Sequence, residues 1–185
     1  MKNPVALYMA RDSVMKKILP AYCVWDIDRD ARRYSGNSPV VAAPPCAGYS
    51  AKLRHLAAID PDRDTCAPIA VKQVRRTGGV LEHPAYSHLW RVASLPAVGS
   101  FDRDRHGGFS IQVQQWDFGH PARKLTWLYI VGCRPCDVWA LLPPRRPYKN
   151  GLDIFGVCGS SRKFRSAYPL AFAECLVSVA RICGN

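Results

Sequence analysis

The segment Pro39-Val40-Val41-Ala42-Ala43-Pro44-Pro45-Cys46-Ala47-Gly48-Tyr49-Ser50 decides how this chain folds. The apolar run Pro39–Ala42 predicts a short buried strand, and the pattern from Ala51 to Ala58 predicts a helix. Between them a cysteine sits in a turn stiffened by two prolines. Proline fixes φ and lacks an N–H, so the pair aims Cys46 rather than leaving it in a loose loop. Gly48 lets a ligand or another chain come close. Taken alone, the stretch reads equally well as a proline-rich turn around a buried thiol. Its neighbours separate the two readings.

Upstream, Val5–Met9 reads as a buried first strand. Asp12 or Ser13 caps a short helix that reaches Leu19 and stops at Pro20. Tyr22–Trp25 reads as a second short strand and runs into a charged turn or helix, Asp26–Arg33; Gly36-Asn37 marks a loop. Downstream, Cys66–Arg76 is helical in pattern, with Ile69, Ala70 and Val74 on one face and Gly78 as its stop. Val80-Leu81 is a brief strand ending in Glu82-His83-Pro84, and Tyr86–Leu95 a short helix. Residues 99–108 read as a mobile surface loop. Phe109–Val113 and Thr126–Val131 read as strands joined by a polar loop, residues 114–125. Residues 133–165 read as an irregular basic segment. Tyr168–Ile182 is a helix with Pro169 in its first turn and Phe172, Leu176, Val179 and Ala180 on one stripe.

Alternating short strands and helices predict an α/β fold with a largely parallel sheet. Ligands of such sheets sit beyond the carboxyl ends of the strands. Cys46 and Glu82 both follow a predicted strand. A hairpin around residues 114–125 returns that loop to the same edge, so Cys46, Glu82 and Arg123 or Lys124 are expected to converge.

The chain has 185 residues, 48% of them hydrophobic, which suits one domain with a full core. It contains no apolar run of membrane-spanning length, and its amino-terminal stretch is too short and polar for a signal peptide, which together predict a cytoplasmic protein. A formal net charge of +12, carried mostly by arginine, favours a nucleic-acid partner over a merely basic soluble protein. The 8 cysteines are expected to be reduced thiols. Cys133-Arg134-Pro135-Cys136 is the one CxxC; only Cys158 and His120 stand ready to complete a zinc site, and no metal is expected.

Three motifs in order carry a family resemblance. Ala43-Pro44-Pro45-Cys46-Ala47-Gly48-Tyr49-Ser50 is similar to the Gly-Pro-Pro-Cys-Gln-x-Phe-Ser motif of cytosine-C5 DNA methyltransferases. Val80-Leu81-Glu82-His83-Pro84 resembles their Glu-Asn-Val motif. Phe118-Gly119-His120-Pro121-Ala122-Arg123-Lys124, leading into Trp127–Gly132, resembles their Tyr-Gly-Val-Pro-Gln-x-Arg-x-Arg segment and the strand after it. The match covers about residues 39 to 132.

The resemblance implies a Rossmann-like class I methyltransferase fold over residues 1–185, mostly parallel with a terminal antiparallel hairpin strand. It implies that Cys46 adds to carbon 6 of a cytosine flipped out of DNA, with Glu82 protonating ring nitrogen 3 and Arg123 or Lys124 contacting base or phosphate. It assigns Pro45, Tyr49, Ser50, His83 and His120 to the substrate and Tyr8, Ala10, Asp26 and Pro44 to the methyl donor S-adenosylmethionine. Departures are visible too. The family's glycine-rich first loop reads Tyr8-Met9-Ala10-Arg11-Asp12-Ser13 here, the usual glutamine is Ala122, and Thr126 falls near the family's last arginine. Residues 133–165 replace the family's target-recognition domain, so target choice is expected to fall to that segment, a partner protein or a second copy in a homodimer. The brevity points to a phage- or mobile-element-encoded form acting in the host-cell cytoplasm. Two other classes stay open: a DNA-binding relative without cofactor, and a transferase that uses the same cysteine addition with another donor.

Overall fold

The computed structural model describes residues 3–51, 58, 60–100, 102–147, 164 and 167–184. Six strands form one mixed sheet: β1 (Val5–Leu7), β2 (Val24–Trp25), β3 (Val40–Ala42), β4 (Gly79–Pro84), β5 (Phe109–Gln114) and β6 (Leu125–Val131). Their order is β2-β1-β3-β4-β6-β5. The first four pair in parallel; β6 is antiparallel to both of its neighbours, β4 and β5. The expected α/β class and antiparallel hairpin are therefore present. The reversed strand lies inside the sheet rather than at its edge.

Among the described residues, α-helical segments accompany the sheet at α1 (Pro61–Asp64), α2 (Cys66–Thr77), α3 (Leu89–Val92), α4 (Pro135–Trp139) and α5 (Leu170–Ile182). Strand alternation divides the core in two. Ala6, Val41, Val80, Leu128 and Ile130 face Phe172, Leu176, Val179 and Ala180 of α5. Val5, Leu7, Val40, Ala42, Leu81 and Tyr129 face Ala67, Ala70, Val71 and Val74 of α2, together with Leu89 and Trp90 of α3. Both faces of the parallel strands are thus covered, which explains their uninterrupted apolar character. Among the described residues no helix is long and apolar enough to cross a membrane.

Local chemistry sets the boundaries. Ser13 caps a short 3-10 turn, its Oγ accepting from the Met15 N–H at 3.3 Å. Asp60 caps α1 by accepting from the Arg63 N–H at 3.0 Å, with Pro61 in the first position. Helix α3 is much shorter than the predicted Tyr86–Leu95 because Tyr86 and Ser94 take left-handed backbone angles, φ 64° and 48°, on either side of it.

Several expectations need correction. Glu82, His83 and Pro84 belong to β4 rather than to a loop after it, because β6 pairs alongside as far as Pro84–Thr126. The polar 114–125 loop is largely buried: Gln115–Phe118 forms a 3-10 turn, and Phe118 packs edge-on against Phe172 at 5.0 Å. The described part of the 99–108 loop is anchored. Asp104 accepts from the backbone of His106 and Gly108, each at 2.9 Å, and binds the Tyr129 hydroxyl at 2.6 Å and Arg75 at 3.1 Å. The segment after Gly132 opens with an ordered helix, α4, and Arg146 reaches back to the Trp116 carbonyl at 2.7 Å. The helix expected over Ala51–Ala58 falls mostly outside the described residues, as do Cys158 and the rest of the basic segment.

Gly79 shows how tightly β3 and β4 meet. Its φ is +119°, and a Cβ there would run into the Val40 backbone. Left-handed strain and overlap together should make Gly79→Ala cost about 3 kcal/mol or more. A urea titration that leaves the unfolding midpoint unchanged would contradict this packing.

Candidate functional site

The site lies at the carboxyl ends of β3 and β4. Beyond β3 the chain leaves the sheet as Ala43 donates its N–H to the Leu7 carbonyl at 3.2 Å. Pro44 is buried and Pro45 exposed, and Cys46 opens a 3-10 turn, Ala47–Tyr49. The turn is pinned at its far end: the Tyr49 carbonyl accepts from the His88 N–H at 2.9 Å and the Ser87 hydroxyl at 3.3 Å. The Tyr49 hydroxyl donates to the Asp64 carbonyl at 2.9 Å. Gly48 does permit a close approach, but its neighbour is Asp64 of this same chain, whose Cγ would lie 2.7 Å from a Cβ at that position.

Strand alternation sends Glu82 and His83 to opposite faces of β4. Glu82, only 6% exposed, points to the α5 side. Tyr168, just ahead of α5, donates its hydroxyl to Glu82 Oε2. Gln115 Nε2 approaches Oε1 at 3.5 Å and donates to Thr126 Oγ1 at 3.0 Å. Burial drives the Glu82 carboxyl up from its usual value, against the opposing pull of the Lys124 charge and of hydrogen bonds from Tyr168 and Thr126. Lys124 is half-buried; its Nζ donates to the Ala167 carbonyl at 3.3 Å and lies 4.9 Å from the Tyr168 ring centroid. Desolvation lowers its pKa, and negative charge on Glu82 and on Cys46 holds it up. Lys124 therefore senses both the carboxyl and the sulfur. Burial and Glu82 likewise raise Tyr168, which also feels Cys46.

His83 takes the other face. It is fully buried, with Nδ1 2.7 Å from the Ser87 hydroxyl and its ring edge-on to Tyr49 at 6.2 Å. Burial pushes its pKa down to about 4, opposed by the Pro45 backbone. This neutral imidazole braces the turn that carries Cys46.

Of the expected site residues, Lys124 lies within electrostatic range of both Glu82 and Cys46. Arg123, next to Lys124, is half-buried. His120 is buried against its own loop, where Nδ1 accepts from the Ala122 N–H at 3.0 Å, and its ring packs on Phe164 at 5.2 Å. Ser50 is half-buried beside the pinned turn. Sequence reasoning missed Tyr168, Gln115 and Thr126 as partners of Glu82; nothing in their spacing points to it, because they meet only through the fold.

The residues expected to hold S-adenosylmethionine do not fit it. The Tyr8 hydroxyl is taken by Gln73 Oε1 at 2.8 Å, and its φ of 64° puts a bulky side chain where a glycine backbone would sit. Asp26, the acid beyond β2, is bound by Lys16 at 2.7 Å and by the Asp28 N–H at 3.0 Å. Ala10 is exposed and Pro44 packed in the interior. Among the described residues no cluster of three or more His, Cys, Asp or Glu could hold a metal ion. His120 precedes β6 and Cys133 follows it, while Cys158 lies outside the described residues.

No family model, curated protein or solved structure matches this chain.

Glu82 and His83 leave opposite marks on stability. The folded chain keeps the Glu82 proton where the unfolded chain, near 4.5, has lost it, so stability falls as pH rises above 4.5 toward the folded-state value. The folded chain refuses a proton that unfolded His83 accepts below 6.5, so stability falls as pH drops from 6.5 to about 4. Glu82→Gln removes only the first slope. Relative to the parent it should gain stability with rising pH, by at most about 1.4 kcal/mol per unit, in urea titrations from about pH 5 to 8. A constant difference across that range would mean that Glu82 is ionised in the fold.

Proposed function

We propose that this chain is a relative of the cytosine-C5 DNA methyltransferases that keeps their base-activating half: it binds a cytosine extruded from DNA and adds Cys46 to carbon 6. One observation carries this. A carboxyl held toward its protonated form by burial stands with Lys124 at the carboxyl end of β4, and Lys124 in turn lies within electrostatic reach of the Cys46 sulfur. Binding alone needs neither a nucleophile nor a matched acid. The parallel run β1–β4, the reversed β6 and the covering helices support a Rossmann-like class I methyltransferase fold. The net charge of +12 supports a polyanionic partner.

The chemistry follows from the groups present. The Cys46 thiol gives its proton to water, with the Lys124 ammonium favouring the thiolate. The sulfur bonds to carbon 6, and the electron pair of the 5,6 double bond moves into the ring. Glu82 gives its proton to nitrogen 3, leaving carbon 5 enamine-like and able to exchange its hydrogen with water. Tyr168 and Gln115 hold the carboxyl in place. In the family, S-adenosylmethionine supplies a methyl group to carbon 5; the first loop of this chain does not fit that donor, and activation of the base is as far as the proposal goes.

The test needs no donor. The full chain is incubated with DNA carrying cytosine tritiated at carbon 5, and tritium released into water is counted. Release is expected, falling by about 1000-fold or more in Cys46→Ser and about 100-fold in Glu82→Gln. DNA binding without release would leave a binding relative without chemistry. S-adenosylmethionine-dependent 5-methylcytosine would overturn the misfit of the first loop.

A further inference from the structure

Cysteine chemistry recurs at the other end of the sheet. Cys133 follows Gly132 at the end of β6, and Cys183 caps the carboxyl end of α5. They are 50 positions apart, yet the Cys183 thiol donates to the Cys133 sulfur across 3.3 Å. Two glycines enforce the approach. A Cβ on Gly132, whose φ is +104°, would lie 2.6 Å from the Cys183 carbonyl oxygen, and one on Gly78 would lie 2.9 Å from the same atom. The helix end rests directly on glycine backbone, so the two sulfurs cannot avoid each other.

We propose that Cys133 and Cys183 form a reversible disulfide that staples the carboxyl end of α5 to the sheet, with a small-molecule disulfide of the glutathione type as oxidant. The geometry asks for little: closing 3.3 Å to a bond of about 2 Å is within side-chain rotation, and no backbone element has to cross the core. Exposure orders the steps. Cys133 is half-buried and Cys183 only 6% exposed, so Cys133 meets the oxidant. The hydrogen bond from Cys183 lowers the Cys133 pKa, with help from Arg103, while it raises that of Cys183.

The Cys133 thiolate attacks one sulfur of the oxidant, forming a mixed disulfide and expelling one thiolate. Cys183 then gives up its proton and attacks the Cys133 sulfur, expelling the second. Two protein thiols lose two electrons and two protons; the oxidant leaves as two thiols. Cys136, the other half of the CxxC, is exposed, and its thiol faces Asp137 Oδ1 at 3.7 Å, on its own helix. It competes poorly for Cys133 against a sulfur already in contact.

The experiment treats the folded, reduced full chain with oxidised glutathione and maps its peptides without reduction. Expected are a Cys133–Cys183 linkage, a melting temperature about 5 °C or more above the reduced form, and reversal of both by dithiothreitol. Cys136→Ser should leave the linkage intact; Cys133→Ser should abolish it. A Cys133–Cys136 linkage, a mixed disulfide that never resolves, or a linkage that forms only in denaturant overturns the proposal. None of these readouts depends on DNA or on Cys46.

Discussion

Burying one carboxyl organises the functional end of this protein. A glutamate side chain in the interior is costly unless its oxygens are satisfied, and ionising it there costs more. Glu82 meets that cost with groups from three separate parts of the chain: Tyr168 ahead of α5, Gln115 in the turn after β5, and Thr126 on β6. Each partner therefore depends on the hairpin and the last helix being docked. The carboxyl is also what those elements converge on, since Phe118 and Phe172 close the apolar wall beside it. Removing Glu82 would leave a buried tyrosine hydroxyl and a buried amide with nothing between them.

The two-residue period of β4 then divides labour between neighbours. Glu82 faces α5. His83 faces α2 and α3, where Ser87 lies against its Nδ1 and burial holds it neutral. One strand thus supplies the acid on one face and the brace for the Cys46 turn on the other. A slip of register by one residue would exchange the two roles and destroy both. The β4–β6 ladder, running from Gly79–Val131 to Pro84–Thr126, fixes that register.

Much of the scaffold was legible in the residues. Apolar runs and one alternating stretch marked all six strands, and Gly78 marked the end of α2. Long-range pairing was not legible. Trp116 and Phe118 read as polar-loop residues because nothing local shows that Arg146 and Phe172 will cover them. Asp26 and Tyr8 looked available because their partners, Lys16 and Gln73, lie 10 and 65 positions away. Tyr168 escaped notice for the same reason, at a separation of 86. A motif reports residue types at a spacing; whether a side chain is already occupied depends on contacts that the spacing does not contain.

Helix α5 links the two sulfur-bearing ends of the molecule. At its amino-terminal flank Tyr168 touches Glu82; at its carboxyl cap Cys183 touches Cys133. Between them Phe172, Leu176, Val179 and Ala180 lie fully buried on the sheet, so the helix cannot shift at one end without disturbing packing along its whole length. The glycines under Cys183 seat one end by steric fit, and the Glu82 hydrogen bonds seat the other by polarity. The net result is a rigid bar whose position is set twice, by unrelated forces, and the buried Glu82 carboxyl sits at the end where polarity does the setting.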